Sequence, residues 1–189
     1  MAEANRERVL RAATSSFLAR GYASSVDEIA RRAGVAKQTV YHHFPSKDRL
    51  FREVARELAM SVLVELEGDD VRAALLSFAL AYRQRALSAE GIAAFRTLVP
   101  EAPRFRSLAK AMYANTAGEL VQRLAQYLGA AMKEGRLRRD DPELAAEIFL
   151  GMLVGHDRLK RLFGVHCGDK DDARRTTRIV DCFLRAYQK

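Results

Sequence analysis

A stretch of the chain between residues 37 and 43 is almost entirely able to hydrogen bond. On a helix its outward positions would be Lys37, Gln38, Thr39, Tyr41 and His42. Ammonium and carboxamide groups suit the edges of nucleic-acid bases, whereas hydroxyl and imidazole groups also suit phosphate oxygens. The residue types therefore indicate the chemistry of nucleic-acid recognition, provided that one helix presents them together.

Two short helices around a tight turn are predicted to position these side chains. Ser25 begins a capping box with Glu28 and opens the first helix, which ends at Gly34. The second runs from about Ala36 to His43. This spacing is that of a helix-turn-helix, whose second helix can enter the major groove while the first braces it. Ordinary three-helix cores show the same periodicity, so the pattern alone leaves both interpretations open.

The charge of the chain is concentrated near the predicted helix-turn-helix. The formal net charge is +8, and residues 1–52 contribute ten Lys and Arg against five acids, or +5 of that total. A basic segment suits a polyanionic partner, because neutralising phosphates releases condensed counterions. A solvated basic surface without a partner would have the same composition.

The remaining sequence predicts helices throughout. Apolar residues recur at helical spacing, and the strand-like alternation of apolar and polar residues is absent. Beyond a fourth helix capped by Ser46, we expect helices at about 70–87, 90–99, 103–134, 141–163 and 171–187, the third of these bending near Asn115–Gly118. The predicted fold is all-α. A three-helix DNA-binding domain would span residues 1–50 and a helical effector-binding and dimerisation domain residues 51–189.

The amino-acid sequence of the N-terminal segment resembles the DNA-binding signature of the TetR family of bacterial regulators. The similarity lies in VDEIARRAGVAKQTVYHHFPSKDRLF (residues 26–51) and extends back through Arg8–Ala13 and Phe17–Tyr22. It implies a homodimer that places two recognition helices in successive major grooves of an inverted-repeat operator. It also implies that a ligand bound in the C-terminal domain changes the separation of those helices.

The same resemblance assigns roles to individual residues. The positions that would hold phosphates are Ser24, Ser25, Tyr41, His43 and Lys47. Those that would face bases or the groove are Ala36, Lys37, Gln38, Thr39 and His42. Two of them depart from the common pattern, which often has Ser at position 36 and a small residue at position 38. Ala36 removes a capping hydroxyl, worth about 1 kcal/mol, and Gln38 offers a larger group for reading bases.

The C-terminal half resembles the AefR-like branch of the family, on residues 95–105, Tyr113, 135–137 and 141–151. This resemblance implies a dimer interface built as a four-helix bundle from the last two long helices. We expect its apolar face to comprise Ile148, Phe149, Met152, Leu153, Leu159, Ile179, Phe183 and Leu184.

The middle helices carry the candidates for an effector site. These aromatic and methionine residues are Phe78, Tyr82, Phe95, Met112 and Tyr113. They suit a mostly apolar pocket, and each of them suits a packed core equally well. Arg83, Arg85 and Arg96 would pair either with an anionic effector or with Glu90 and Glu101.

The sequence lacks the residue patterns typical of a metal site or of an enzyme active site. His42 and His43 point about 100° apart on a helix, with no carboxylate at metal-ligand spacing, so we expect no metal and no cofactor. His156, Asp157 and His166 lack a nucleophile motif, which favours structural histidines over an enzyme. A nonspecific DNA-coating protein remains the other alternative. Cys167 and Cys182 form no disulfide framework, and without a signal peptide or membrane-spanning run we expect a cytoplasmic protein.

Overall fold

The structure is a computed structural model that describes residues 2–60, 66, 68–103, 106–165 and 172–188. Every regular element in these ranges is helical. The helices are α1 (Ala2–Arg20), α2 (Val26–Ala33), α3 (Lys37–His43), α4 (Lys47–Met60), α5 (Val71–Ala86), α6 (Ala89–Leu98), α7 (Arg106–Tyr113), α8 (Glu119–Lys133), α9 (Pro142–Leu162) and α10 (Asp172–Tyr187). A 3₁₀ turn covers Gly21–Ala23 and a π-helical turn covers Ala114–Gly118. The all-α fold class predicted from the sequence is confirmed.

The chain folds as two compact units, and the first comprises residues 1–61 and 93–116. Its core is formed by one apolar face from each of α1, α2 and α4, closed by Val40 of α3. Phe17, Tyr22 and Phe51 stack and meet edge to face inside it. The later segment contributes Met112 to this core, so the first unit is built from two separate stretches of the chain.

The second unit comprises residues 62–92 and 117–189, and contains α5, α8, α9 and α10. Its core includes Leu75, Leu124 and Phe149, none of which is exposed. A cap formed by Asp141 accepts hydrogen bonds from the amides of Glu143 and Leu144, and Pro142 occupies the first turn where its missing N–H costs nothing. The sequence pattern predicted this start of α9.

A buried ion network lies inside the second unit and joins α5, α9 and α10. Arg83 is 1% exposed and donates to Asp157 at 3.0 Å, to Asp172 and to the carbonyl of Leu153. Arg175 also donates to Asp157, at 2.9 Å. Burial alone would raise the pKa of Asp157, but hydrogen bonding to Arg83 and the charges of Arg175 and Arg83 outweigh it and lower the pKa.

The sequence predicted a helix bend near residues 115–118 and a domain boundary at residue 50, and the structure agrees with the first but not with the second. The bend predicted near Asn115–Gly118 coincides with the π-helical turn between α7 and α8. The domain boundary predicted at residue 50 falls inside α4, however, and Phe51 and Val54 beyond it belong to the core of the first unit. Cys167 and His166 lie outside the described residues. Across the part of the chain that is described, no helix is long and apolar enough to cross a membrane.

Candidate nucleic-acid interface

The turn between α2 and α3 is fixed from both ends. Ser25 caps α2 by accepting from the amide of Glu28 at 3.2 Å, as the capping box predicted, while the Glu28 carboxylate is engaged by Arg20 and Arg32. Gly34 ends the helix in the left-handed conformation, at φ 64°, where glycine has no steric penalty. Arg8 then donates to the carbonyls of Ala33 and Gly34 at 2.6 and 2.8 Å. The angle between the two helices is therefore set by α1 as well as by the turn.

Helix α3 has one buried side and one exposed polar side. Val40 is 1% exposed and anchors it to the core. The exposed positions are Ala36, Lys37, Gln38, Tyr41 and His42, with Thr39 and His43 half-buried. One helix therefore presents the polar side chains of Lys37, Gln38, Tyr41 and His42 to solvent, and Thr39 less so. Ala36 occupies the N-cap position and makes no side-chain capping bond, because a methyl group cannot accept one.

Lys37 is paired with an acid of the preceding helix. Its Nζ lies 2.9 Å from Oδ2 of Asp27. The hydrogen bond to Asp27 and the charge of that carboxylate raise the pKa of Lys37 above its ordinary value. Sequence reasoning did not single out Asp27, because ten residues separate it from Lys37 and only the helix-turn-helix geometry brings them together.

Lys47 is held at the start of α4 by an aromatic ring. Its Nζ lies 4.2 Å from the centroid of the Tyr22 ring, within the range of a cation–π interaction. The hydroxyl of Tyr22 donates to Asp48, the next residue. Ser46 caps the same helix by accepting from the amide of Arg49 at 3.1 Å. The half-buried Lys47 is thus positioned beside the end of α3 by the fold.

Ser24 was predicted to contact a phosphate, and its position in the structure contradicts this. The residue is 2% exposed, and its hydroxyl donates to the carbonyl of Ser16 at 2.8 Å inside the first unit. A buried hydroxyl that is already paired cannot meet a phosphate without opening the core. The resemblance alone suggested the contact, and no pattern in the sequence predicted that Ser24 is buried.

The residues predicted for a dimer interface separate into two groups. Ile148, Met152 and Leu159 on α9 are 41%, 37% and 48% exposed. Phe149 and Leu153 of the same helix, with Phe183 of α10, are at most 1% exposed and lie in the core of their own unit, so their assignment to an intersubunit face is wrong. The half-buried Ile179 and Leu184 also pack against that core.

The exposed residues of α9 form one stripe that is wider than predicted. At about 100° per residue, Leu144, Ile148, Met152 and Leu159 fall within an arc of roughly 80°. Leu144 is 49% exposed and was not among the predicted interface residues. Its spacing of four from Ile148 is the signal that would have found it. Gly155 lies in the same arc and Gly151 about 20° outside it, and a Cβ added at either would meet open space.

The predicted effector residues fall into both units. Phe78 is fully buried in the second unit, and the half-buried Tyr82 stacks on it at 5.8 Å between ring centroids. Met112 packs against the core of the first unit, where Phe95 is half-buried and Tyr113 is 60% exposed. Of the predicted arginines, Arg85 pairs with Glu90 at 3.1 Å, whereas Arg83 is committed to the buried network.

Two family models match the chain. The model described as bacterial regulatory proteins of the TetR family matches residues 9–54. The model described as the C-terminal domain of AefR-like transcriptional repressors matches residues 73–189, more than half of the chain.

Solved structures with the same fold include regulators of this kind. A regulator described as a putative TetR-family protein from Mesorhizobium loti superposes with a TM-score of 0.85 at 25% identity, covering 100% of this chain and 99% of that one. The flavonoid-responsive regulator FrrA superposes with a TM-score of 0.79 at 32% identity, with 97% of each chain covered.

One curated relative is similar over about a quarter of the chain. The HTH-type transcriptional activator FasR of Mycolicibacterium smegmatis is 50% identical over 50 residues, which span 26% of this chain and 23% of that protein. The chain therefore spans less than a quarter of the length of that relative. Together with the two family models and the exposed polar face of α3, these similarities show that the chain belongs to the TetR family of DNA-binding transcriptional regulators.

Proposed function

We propose that this regulator is a repressor, released from an inverted-repeat operator by a small, largely apolar ligand. The observation that supports DNA reading best is the exposed polar side of α3, held against a rigid core by Val40 and Arg8. The AefR-like repressor model over residues 73–189 supports repression as the direction of control. Its site of action would be the bacterial cytoplasm, where the operator is.

We assign the reading of bases to Lys37, Gln38 and His42, whose side chains are exposed on α3. Ala36 and Thr39 would lie in the groove beside them. Phosphate contacts are assigned to Ser25, Tyr41, His43 and Lys47, which flank this face at the starts of α2 and α4 and along α3. Phosphate contacts orient the protein on the duplex, and the base contacts select the sequence.

A homodimer is proposed to use the exposed stripe of α9. Three of its residues, Ile148, Met152 and Leu159, were predicted for this face, and Leu144 extends it by one helical turn. Burying four large apolar side chains against a second copy would remove them from water, which stabilises a symmetric pair of protomers. Two copies of α3 would then face two half-sites.

The effector is proposed to be a small aromatic molecule. The name of FrrA records a response to flavonoids, and that regulator is 32% identical over nearly the whole chain. Tyr82 suits contact with an aromatic ligand, because its ring is half-buried and already stacked on Phe78. We propose Phe95, Met112 and Tyr113, which lie in the first unit, as alternative contacts.

Activation is the alternative direction of control, since the relative named FasR is an activator. The match spans only 26% of this chain, so the similarity gives weak support for the sign of regulation. A promoter that contains the operator, fused to a reporter gene, separates the two. Repression predicts higher expression when the regulator gene is deleted, and activation predicts lower expression.

Selection from a random duplex pool tests the proposed function, at about 150 mM salt and followed by sequencing. We expect enrichment of an inverted repeat with half-sites about one helical turn apart. Flavonoids added to the complex should then release the recovered duplex. Binding without enrichment of any motif, and with an affinity that collapses as salt rises, would instead identify a nonspecific DNA-coating protein.

A further inference from the structure

An acid lies against the first residue of the proposed recognition helix. Lys37 begins α3, and its Nζ is 2.9 Å from Oδ2 of Asp27 on α2. The Lys37 side chain is 50% exposed and the Asp27 side chain 69% exposed, so the pair lies on the surface. Other acids nearby are committed elsewhere: Glu28 to Arg20 and Arg32, and Asp48 to the hydroxyl of Tyr22.

The carboxylate of Asp27, next to Lys37, weakens the nonspecific binding of DNA. An unpaired lysine at the surface of a duplex neutralises a phosphate and releases a counterion, which strengthens binding to every sequence alike. A lysine that is paired with an acid has its charge compensated and its stem held in one direction. Its ammonium has three donors, so one bond to Asp27 leaves two for a base edge such as the O6 and N7 acceptors of guanine.

We propose that Asp27 is a specificity-determining residue, which holds Lys37 for base contact and weakens its contact with phosphates. The proposal rests on the role of α3 in DNA binding. It goes beyond that role by assigning discrimination against nonspecific DNA to an acid of the supporting helix. Asp27 touches no base in this account, and it acts by positioning Lys37.

The first test measures nonspecific binding of the full chain. Wild type and Asp27→Asn are titrated onto a fluorescein-labelled duplex of about 30 base pairs of mixed sequence, by anisotropy, from about 50 to about 200 mM salt. We expect the variant to bind more tightly and its log–log salt slope to steepen by about 0.9, the value for one added phosphate contact. The ratio of its nonspecific affinity to that of wild type should then fall about 3.5-fold from the lower to the higher salt concentration.

Two variants separate this mechanism from simple removal of a negative charge. Glu7→Gln makes the same change in net charge at a surface pair with Arg11 on α1, and should leave the slope unchanged. In a Lys37→Met background, Asp27→Asn should no longer steepen the slope. A slope that steepens equally in that background would mean that Asp27 acts as a general charge, which overturns the proposal, as would equal slopes for wild type and Asp27→Asn.

The second test measures specificity by selection from a random duplex pool, with both proteins. Asp27→Asn should enrich the wild-type motif less, and its ratio of nonspecific to specific Kd should fall about threefold or more. Equal ratios for the two proteins would overturn the assignment. If wild type enriches no motif, the proposed repressor function fails, and the slope comparison still decides whether Asp27 restrains Lys37. Matching far-ultraviolet circular dichroism spectra would show that all variants fold.

Discussion

Gln38 and Lys47 are placed to make different contributions to DNA binding. Gln38 is exposed on α3, whereas Lys47 is held at the start of α4 over the ring of Tyr22. Gln38→Ala should change sequence preference at one or two base pairs of each half-site, because a base-reading group is lost. Lys47→Ala should weaken binding to all sequences alike and reduce the salt slope by about 1, because a phosphate contact is lost.

Binding of both variants to a panel of single-base operator variants checks this division. Gln38→Ala should change the order of affinities in the panel, and Lys47→Ala should preserve it. The same change of order in both variants would show that the two residues do not divide into a reader and an anchor.

Ala36 predicts a variant that is more stable than the natural chain. It occupies the N-cap of α3 without a hydroxyl to accept from the first amides of the helix. Ala36→Ser restores that acceptor at a residue with extended backbone angles, and should raise the free energy of unfolding by about 1 kcal/mol. Urea denaturation followed by circular dichroism measures the change. Ala36→Val is the control, since it adds bulk without an acceptor and should give no gain.

Single residues also show where sequence reasoning succeeds and where it stops. Ser25 and Asp141 were recognisable as caps, because capping depends on neighbours within three residues. Asp27 and Ser24 were not interpretable, since their partners Lys37 and Ser16 are ten and eight residues away. Pairing between elements depends on how the helices cross, which local sequence does not specify.

At the scale of elements, the exposed stripe of α9 makes a prediction about assembly. Ile148→Glu should convert a dimer to a monomer that remains folded, because the residue is 41% exposed and contributes to no core of its own protomer. Sedimentation equilibrium measures the mass, and thermal unfolding measures the fold. Ala130→Glu adds the same charge at an exposed position of α8 and should leave the mass unchanged.

Leu153→Glu distinguishes the stripe from the neighbouring core. Leu153 is fully buried one residue beyond Met152, so this variant should unfold rather than dissociate. A folded monomer from Leu153→Glu, or an unchanged dimer from Ile148→Glu, would contradict the assignment. The spacing of apolar residues predicted the helix and its apolar positions, but it could not separate the side that faces the core of its own unit from the side left for a partner.

The network that joins α5, α9 and α10 makes a prediction about acid. Asp157→Asn removes a charge from the buried pair with Arg83 and should lower the free energy of unfolding by roughly 2 kcal/mol at pH 7. That is less than the loss of about 3–5 kcal/mol typical of a broken buried pair, because Asp172 still pairs with Arg83.

The pH dependence follows from the lowered pKa of Asp157. A carboxyl group whose pKa is lower in the folded state stabilises the fold above its unfolded pKa, which is about 3.9, and loses that contribution as pH falls through the folded value. The difference between wild type and Asp157→Asn should therefore be constant from neutral pH to about pH 5 and shrink below about pH 4. Urea titrations at several pH values measure it, and a difference that grows on acidification would contradict the pairing.

At the scale of the whole molecule, the two compact units do not follow the order of the chain. The first unit combines residues 1–61 with residues 93–116, and Leu98 and Met112 pack against its core from the later segment. Thr97 also donates to the carbonyl of Phe17, at 3.1 Å. The predicted boundary at residue 50 missed this arrangement, because composition and loop signals follow the chain and not its contacts.

This arrangement predicts that the N-terminal helices are weakened when they are expressed alone. A fragment of residues 1–60 lacks the contacts of α6 and α7 and should melt at a lower temperature than the same helices in the full chain. Circular dichroism of the fragment and of the intact protein compares the two melting temperatures. Equal values would show that residues 93–116 add nothing to the stability of the first unit.

The discontinuity of the first unit has a consequence for how such a regulator can be recombined. The backbone passes between the units three times, at residues 61–62, 92–93 and 116–117. A gene crossover at residues 61–62 or 92–93 would give a chimera whose DNA-reading unit keeps one of its two segments and receives the other from a foreign parent. A crossover at residues 116–117 would divide the second unit in the same way. Exchange of the whole first unit between relatives therefore requires three matched crossovers, or a parent with a compatible α6–α7 segment. A protease that cuts one connection would likewise leave the protein joined through the other two.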